Sequence, residues 1–261
     1  MPTNVLHIQN VCISFGAKTA VHDISLTLKE GKTLAIVGES GSGKSVAAMA
    51  IIGLLPSKAK IQGSILFDGI ELLNASATRL RSIRGKNISM IFQEPMTSLN
   101  PVFTIGEQIE ETVRLHRTVS RKQAKKITKT ALEEVGIPIE RYASYPHEFS
   151  GGMRQRVMIA MALVCEPTLL IADEPTTALD ATTARQIMEL LHSLKTRHSM
   201  SMLFISHDLK LVASIADEVC VMQNGRVVER GVVSEVLRSP KSAYTQELVS
   251  SIPTLGVKEL T

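Results

Sequence analysis

The sequence contains no tryptophan, three tyrosines and six phenylalanines, so aromatic residues make up only 3% of its 261 residues. Apolar residues nevertheless account for 44% of the chain. The core is therefore expected to consist mainly of Ile, Leu, Val, Met and Ala, as in proteins with buried parallel sheets. This composition argues against disorder, and the length allows one large domain or a core with an inserted subdomain.

The sequence also lacks long hydrophobic segments, because no apolar run approaches the roughly 20 residues that span a bilayer. The N-terminal stretch MPTNVLHIQN has neither the basic start nor the apolar segment of a secretory signal. We therefore expect a soluble or peripheral protein that resides in the cytoplasm.

Cysteine is rare, and the three cysteines, Cys12, Cys165 and Cys220, show no C-x-x-C spacing. Each lies in an apolar stretch of sequence. This pattern predicts three reduced core residues rather than a metal or redox site.

The net charge of +4 and the isoelectric point near 9.0 weakly permit nucleic acid or anionic lipid as a neighbour. The main basic run, 121-RKQAKKITK-129, also carries an apolar stripe, and Ser120 and Gly136 can begin and end a helix around it. The run therefore predicts a helix with a solvated basic face. Nucleic acid is not an expected partner.

Periodicity and turn residues predict strands at 5–15, 21–28 and 33–37, a helix at 45–55 ended by Pro56, and a hairpin at 64–72 around Asp68-Gly69. Three later apolar runs, at 88–95, 168–175 and 201–208, each end on polar residues. Such runs are typical of buried parallel strands whose carboxyl ends open on a ligand crevice. A helix, a strand pair at 218–231 around an Asn-Gly turn, and a final helix with a tail are predicted to follow.

The segment between Gln93 and Thr168 has a mostly helical pattern, including a Met-rich helix predicted at 151–165. We therefore predict a helical subdomain at about 95–165, inserted into a main domain of residues 5–240. Residues 241–261 form the predicted C-terminal tail.

The stretch 38-GESGSGKS-45 fits G-x-x-x-x-G-K-[ST] and lies between a predicted strand and a predicted helix, the context that a P-loop requires. Its glycines allow backbone N–H groups to face a β-phosphate, Lys44 reaches the β- and γ-phosphates, and Ser45 offers a hydroxyl to Mg²⁺. The residues expected to contact the nucleotide here are Gly38, Ser40, Gly41, Gly43, Lys44, Ser45 and Val46.

The stretch LLIADE places Asp173 at the end of an apolar strand, where a carboxylate can hold the hydration shell of Mg²⁺. Glu174 follows directly and can polarise an attacking water, which makes it the candidate general base. Taken alone, a structural ion pair would explain the two acids equally well.

A second donor-rich helix start, suited to an anion, lies in 147-HEFSGGMRQRVMIAMA-162. This stretch occurs together with the P-loop, the LLIADE strand, Gln93, the TTALD sequence that ends at Asp180, and His207. Because of these motifs, residues 5–240 resemble the nucleotide-binding subunit of an ATP-binding cassette (ABC) transporter. The resemblance implies an ATPase with an α/β P-loop NTPase fold. It further implies a RecA-like core, an N-terminal antiparallel β subdomain and an inserted α-helical subdomain.

The resemblance also implies roles for single residues. His207 would hold the γ-phosphate and position Glu174 and water, and Gln93 would sense Mg²⁺ and water. Phe15 would stack on adenine, although a core position would suit it equally well. Asp180 would belong to the nucleotide contacts.

The stretch after Phe149 would act on a different ATP molecule. By resemblance, Ser150, Gly151 and Gly152 would clasp the ATP that a second ABC ATPase subunit holds in its P-loop. Arg154 and Arg156 add positive charge near this helix start, which fits a docked phosphate. Each chain would then contribute half of each of two sites.

Two stretches, 96–109 and 239–253, look like the ATPases of dipeptide, oligopeptide and nickel importers. This implies two membrane permease subunits, an extracytoplasmic substrate-binding protein, and a peripheral location on the cytoplasmic face of the inner or plasma membrane. Peptides are the expected cargo and nickel is the alternative. No cysteine follows Cys220, which favours a short form without an iron–sulfur cluster, such as the nickel-type subunits. Peptide-type subunits without the cluster are the alternative.

The sequence leaves two alternatives to an active transport ATPase. A non-transport ABC ATPase acting on nucleic acid is a remote alternative. DNA-repair members carry long coiled coils at the place that corresponds to the interval from Gln93 to Ser150, and this interval is too short to contain them. A degenerate nucleotide site within a heterodimeric pair is the other alternative. The presence of both Glu174 and His207 favours an active site.

Overall fold

The structure is a computed structural model that describes residues 3–93, 98–177 and 179–251. The chain divides into two compact units. The first unit contains the described residues up to Leu80 and those from Ser201 onward, and the second contains the described residues of Arg81–Met200. The predicted limits of the helical insertion, 95–165, stay a prediction.

The first unit contains an antiparallel sheet with the strand order β2-β1-β4-β5. Its strands are β1 (Asn4–Phe15), β2 (Lys18–Lys29), β4 (Ala59–Phe67) and β5 (Ile70–Glu71). Apolar residues of β1 and β2 are buried and alternate with more exposed ones. The predicted N-terminal strands and the hairpin around Asp68-Gly69 are thus confirmed, although β4 begins five residues before the predicted start of the hairpin.

A second group of strands in the first unit surrounds β3 (Thr33–Val37), which lies parallel to β8 (Ser201–Ser206) and to β9 (Glu218–Gln223). Strand β10 (Arg226–Val232) pairs with β9 in antiparallel fashion after an Asn-Gly turn. Every residue of β3 and β8 is buried. This burial explains why both strands consist mainly of apolar residues.

Helix α1 (Lys44–Ile51) follows β3 and is shorter than the predicted helix 45–55. The N–H of Gly53 donates to Ala50 O, and the N–H of Leu54 donates to Met49 O. This is a Schellman motif, and Gly53 adopts the positive φ of 62° that it requires. The helix therefore ends before Gly53, and the prediction that Pro56 ends it was wrong.

The second unit contains the parallel strands β6 (Ile88–Ile91) and β7 (Leu169–Asp173), which confirms both predicted strands. Helix α2 (Ala77–Ile83) precedes them in the chain. The longer helices are α3 (Ile105–His116), α4 (Arg121–Glu134), α5 (Gly151–Leu163) and α6 (Ala181–Arg197). Two 3₁₀ turns, Ile139–Ala143 and Pro146–Glu148, lead into α5.

The basic helix α4 has the predicted ends. Ser120 caps it in a reciprocal capping box with Gln123, and Gly136 follows its last turn with a φ of 74°. Its apolar side is buried and most of its basic side chains are exposed.

The C-terminal part of the first unit contains α7 (Leu209–Ile215), α8 (Val233–Arg238) and α9 (Ala243–Ser250). The chain after β10 thus contains two short helices where one was predicted. Residues 252–261 of the predicted tail lie outside the described residues. Among the helices of the described ranges, none is both long and apolar enough to cross a membrane.

Two of the three cysteines are core residues, as predicted. Cys165 and Cys220 are buried, and burial raises the pKa of the Cys220 thiol to about 12 and that of Cys165 above its usual range. Cys12 is only partly buried, and its sulfur accepts the N–H of Asp23 at 3.1 Å. Its placement in the core was therefore wrong, because β1 turns this side chain toward the sheet surface.

Candidate functional site

The P-loop of the first unit joins the buried end of β3 to the start of α1. Gly38 has a φ of 150°, and a Cβ built on it would lie 2.1 Å from Met222 O. Gly43 has a φ of 100°, and its Cβ would lie 2.8 Å from Ala20 O. Because backbone oxygens cannot yield to a side chain, only glycine fits these two positions.

The loop presents a helix N-terminus without a side-chain cap. Gly43 occupies the N-cap of α1 and has no side chain that could cap the first N–H groups. Ser40 and Gly41 are exposed at the tip of the loop, whereas Ser45 and Val46 are partly buried in the first turn of α1. Backbone N–H groups and the helix dipole at such a start attract an anion.

Lys44 is almost fully buried, with 4% of its surface exposed. Its Nζ donates to the carbonyl oxygens of Gly38 and Glu39, each at 2.7 Å. The ammonium group therefore lies against the inside of the loop, as a phosphate-binding lysine requires.

Phe15 and His207 are the other candidate residues in the first unit. Phe15 is partly buried at the last position of β1, where it pairs with Lys18. His207 is exposed directly after β8, just before Asp208, which caps α7. Both residues lie at the end of a strand and are at least partly accessible, so a ligand could contact either side chain.

The candidate acids in the second unit lie at the end of β7. Asp173 is the last residue of the strand and is 4% exposed. Glu174 adopts a φ of 47°, an uncommon left-handed conformation for a residue with a side chain. Such conformations cost about 1–3 kcal/mol and concentrate at functional sites.

The structure brings Gln93 and Glu174 into direct contact. Gln93 Nε2 donates to Glu174 Oε2 at 3.1 Å. Thr177 Oγ1 donates to the same oxygen at 2.8 Å. Sequence reasoning missed Thr177, although its position three residues after the acid was a signal for a turn contact of this kind. These two bonds hold the carboxylate in one orientation.

Ser150 caps helix α5, which we call the signature helix, and its Oγ accepts the N–H of Met153 at 3.4 Å. The helix ends at Leu163, two residues before the predicted end. Arg156 Nη1 donates to Val135 O, the C-cap carbonyl of α4, at 2.8 Å. Arg156 therefore contributes to helix packing, and its role near a docked phosphate stays a prediction.

Asp180 caps α6 and is joined to the signature helix through Thr183, a residue that the sequence did not reveal. Asp180 accepts the N–H of Thr183 at 3.0 Å and its hydroxyl at 2.7 Å. These bonds hold the pKa of the Asp180 carboxyl below its usual range, and the bond from the Thr183 hydroxyl has the larger effect. A Cβ built on Gly152 would lie 2.5 Å from Thr183 Cγ2. Gly152 therefore permits close contact between the starts of α5 and α6.

We expect Gly152→Ala to lower the free energy of unfolding by about 1–3 kcal/mol, because Thr183 cannot rotate away without losing its bond to Asp180. Thr183→Ser in the same background removes the clashing methyl group, keeps the hydroxyl, and should recover most of the loss. Gly151→Ala is the matched control, since its Cβ would meet Leu179 at an ordinary 3.6 Å. Chemical denaturation of the four proteins measures the effect, and equal stability of Gly152→Ala and the wild type would contradict it.

Comparison with known proteins identifies the family. Residues 21–177 match the family described as "ABC transporter". The chain belongs to the ABC transporter family. It is 51% identical over 257 residues to the peptidoglycan transport ATP-binding protein YejF of Agrobacterium fabrum, covering 95% of this chain and 47% of that protein. It is 49% identical over 270 residues to the oligopeptide transport ATP-binding protein OppD of Bacillus subtilis, covering 99% of this chain and 75% of that protein.

The fold of this ABC family member matches solved structures. A dimeric, post-hydrolysis structure of the ATP-binding cassette MJ0796, bound to ADP and Pi, is similar with a TM-score of 0.78 and 28% identity. The match covers 87% of this chain and 98% of that one. This confirms the predicted P-loop ABC ATPase fold. The chain spans about half the length of YejF and three quarters of that of OppD.

Proposed function

We propose that the chain binds ATP with Mg²⁺ in its P-loop, hydrolyses it, and thereby drives the import of peptides through a membrane transporter. The observation that carries the proposal is the P-loop itself. Its two obligatory glycines, uncapped helix start and buried lysine form an anion cradle, and membership of the ABC family supports ATP as the ligand.

The side chains present fit Mg²⁺. The hydroxyl of Ser45, in the first turn of α1, and the buried carboxylate of Asp173, at the end of β7, are the hard oxygen ligands that this ion prefers. Mg²⁺, when bound, neutralises developing charge on the phosphates. Gln93 is proposed as a further ligand or sensor, because its amide also carries an oxygen.

Hydrolysis is proposed to depend on Glu174 as the general base. Its carboxylate is oriented by Gln93 and Thr177, and an oriented carboxylate can accept a proton from an attacking water. His207 is proposed to contact the γ-phosphate, where a donor stabilises charge in the transition state. Phe15 is proposed to stack on the adenine ring.

We further propose that two ATPase subunits close head to tail around two ATP molecules. Ser150, Gly151 and Gly152 at the start of α5, with Asp180 nearby through Thr183, would contact the nucleotide held by the second subunit. The dimeric MJ0796 cassette bound to ADP and Pi supports this arrangement for a similar fold. Closing and reopening of the pair would move two permease subunits at the cytoplasmic face of the membrane.

Peptides are the proposed cargo, delivered by an extracytoplasmic binding protein. The names of YejF and OppD refer to peptidoglycan and oligopeptide transport, which favours peptides over the nickel alternative. Part of the stretch that suggested a permease contact, residues 96 and 97, lies outside the described residues. The permease contact is therefore proposed from the sequence alone.

Proteoliposomes that contain the transporter assembled with this chain would test the cargo. We expect uptake of labelled oligopeptides in the presence of the binding protein and ATP inside the vesicles, and no uptake with ADP. Nickel offered in the same way is the control cargo. Uptake of nickel in place of peptides, or peptide uptake that persists without ATP, would refute the proposal.

A further inference from the structure

The C-terminal helix α9 contacts the P-loop through a tyrosine. Tyr244 is 6% exposed, and its hydroxyl oxygen accepts the backbone N–H of Glu39 at 2.9 Å. Glu39 follows Gly38, the first glycine of the P-loop. The bond thus joins residues 205 positions apart within the first unit, at the point where the chain leaves β3 and begins to turn.

Helix α9 is itself firmly attached to the strands that support the P-loop. The carboxylate of Glu229, on β10, accepts the N–H groups of Lys241 and Ser242 at 2.9 Å each. Burial of Glu229 opposes ionisation, but these bonds outweigh it and hold its pKa below the usual range. Ser242 caps the helix by accepting the N–H of Thr245 at 3.0 Å. Tyr244 therefore contacts the loop from a helix whose start is held by Glu229 and capped by Ser242.

The bond to Tyr244 has a consequence for how the loop binds an anion. A P-loop binds phosphate with backbone N–H groups that must point in one direction before the ligand arrives. Because Glu39 is exposed, its N–H would otherwise bond to water, and the first turn of the loop would lose one of the bonds that hold it. Burial raises the pKa of the Tyr244 hydroxyl, so it stays neutral and keeps its hydrogen-bonding role throughout the physiological range.

We propose that Tyr244 is a positioning residue of the nucleotide site, which holds the first turn of the P-loop in the conformation that receives the phosphates and makes α9 a functional part of that site. The inference rests on the proposed binding of ATP. Tyr244 acts through the backbone of Glu39 and is not assigned any contact with the nucleotide.

Tyr244→Phe tests the inference, because it removes the hydroxyl and keeps the buried ring. We expect the Kd for MgATP, measured by calorimetry on the full chain, to rise about threefold to tenfold, which is the effect of one hydrogen bond. Ser250→Ala is the matched control, since it removes a hydroxyl of α9 that donates only to Glu247 O in its own helix. This control should bind as the wild type does, and both variants should remain folded at the temperature of the titration.

A second measurement does not depend on ATP. We expect hydrogen exchange of the Glu39 amide, followed by NMR without nucleotide, to accelerate about threefold to tenfold in Tyr244→Phe. Amides of β3 should exchange as in the wild type. Unchanged affinity or unchanged Glu39 exchange in Tyr244→Phe overturns the inference while the wild type still binds ATP. A wild-type chain that fails to bind MgATP overturns the proposed function and the inference with it.

Discussion

Replacement of Glu174 by glutamine is expected to lower ATP hydrolysis by about a hundredfold to ten-thousandfold, the usual contribution of a general base. Glutamine has the same shape as glutamate, and its amide oxygen can still accept the hydrogen bonds from Gln93 and Thr177. It cannot accept a proton from water at neutral pH. The backbone and the orientation of the side chain should therefore persist while the chemistry is lost.

Phosphate release by the assembled transporter at saturating ATP measures this effect, and the Kd for MgATP should stay close to the wild-type value. Glu189→Gln is the matched control. Glu189 is an exposed acid on α6 that pairs only with Arg185 among the contacts described for it. Its replacement should leave turnover intact. Wild-type turnover in Glu174→Gln would show that another group acts as the base.

Replacement of Lys44 by alanine is expected to raise the Kd for MgATP by about a hundredfold or more. Charge-assisted hydrogen bonds contribute about 1.5–3 kcal/mol each, and a P-loop lysine makes them to two phosphates. Lys44 already lies inside the loop, with its ammonium group 2.7 Å from two loop carbonyls. Its removal should therefore weaken the attraction for the phosphates without requiring any change in the glycines.

Calorimetric titration of the full chain with MgATP measures this loss. Lys58→Ala serves as the control, because Lys58 is an exposed residue that follows α1 and lies outside the P-loop. Circular dichroism should show the same secondary structure in all three proteins. Retention of wild-type affinity by folded Lys44→Ala would contradict the assignment of the P-loop as the nucleotide site.

The predictions from sequence succeeded where a local pattern determines a local structure. Strand β3 was predicted with its observed limits, because Thr33 and four successive apolar residues follow a turn and precede a glycine-rich loop. The ends of α4 were correct because Ser120 and Gly136 carry the capping chemistry that ends helices. The end of α1 was wrong because two competing signals, Gly53 and Pro56, lie three residues apart. Gly53 acts first along the chain.

The contacts of the candidate site with its surroundings could not be predicted in this way. Thr183 meets Gly152 across two helices, and Tyr244 meets Glu39 across 205 positions of sequence. Such pairs depend on how the elements pack, and no local spacing encodes them. The motif residues were found because their spacing is local, whereas the contacts of Tyr244 with Glu39 and of Thr183 with Gly152 join distant parts of the chain.

The left-handed backbone of Glu174 lowers the stability of the fold at a position that is proposed to serve hydrolysis. Glycine or asparagine would adopt a φ of 47° at lower energetic cost, so the native acid is not the residue that would make the fold most stable there. Engineering that rewards heat resistance alone would favour replacing this acid, and the more stable protein would then lack the proposed proton acceptor.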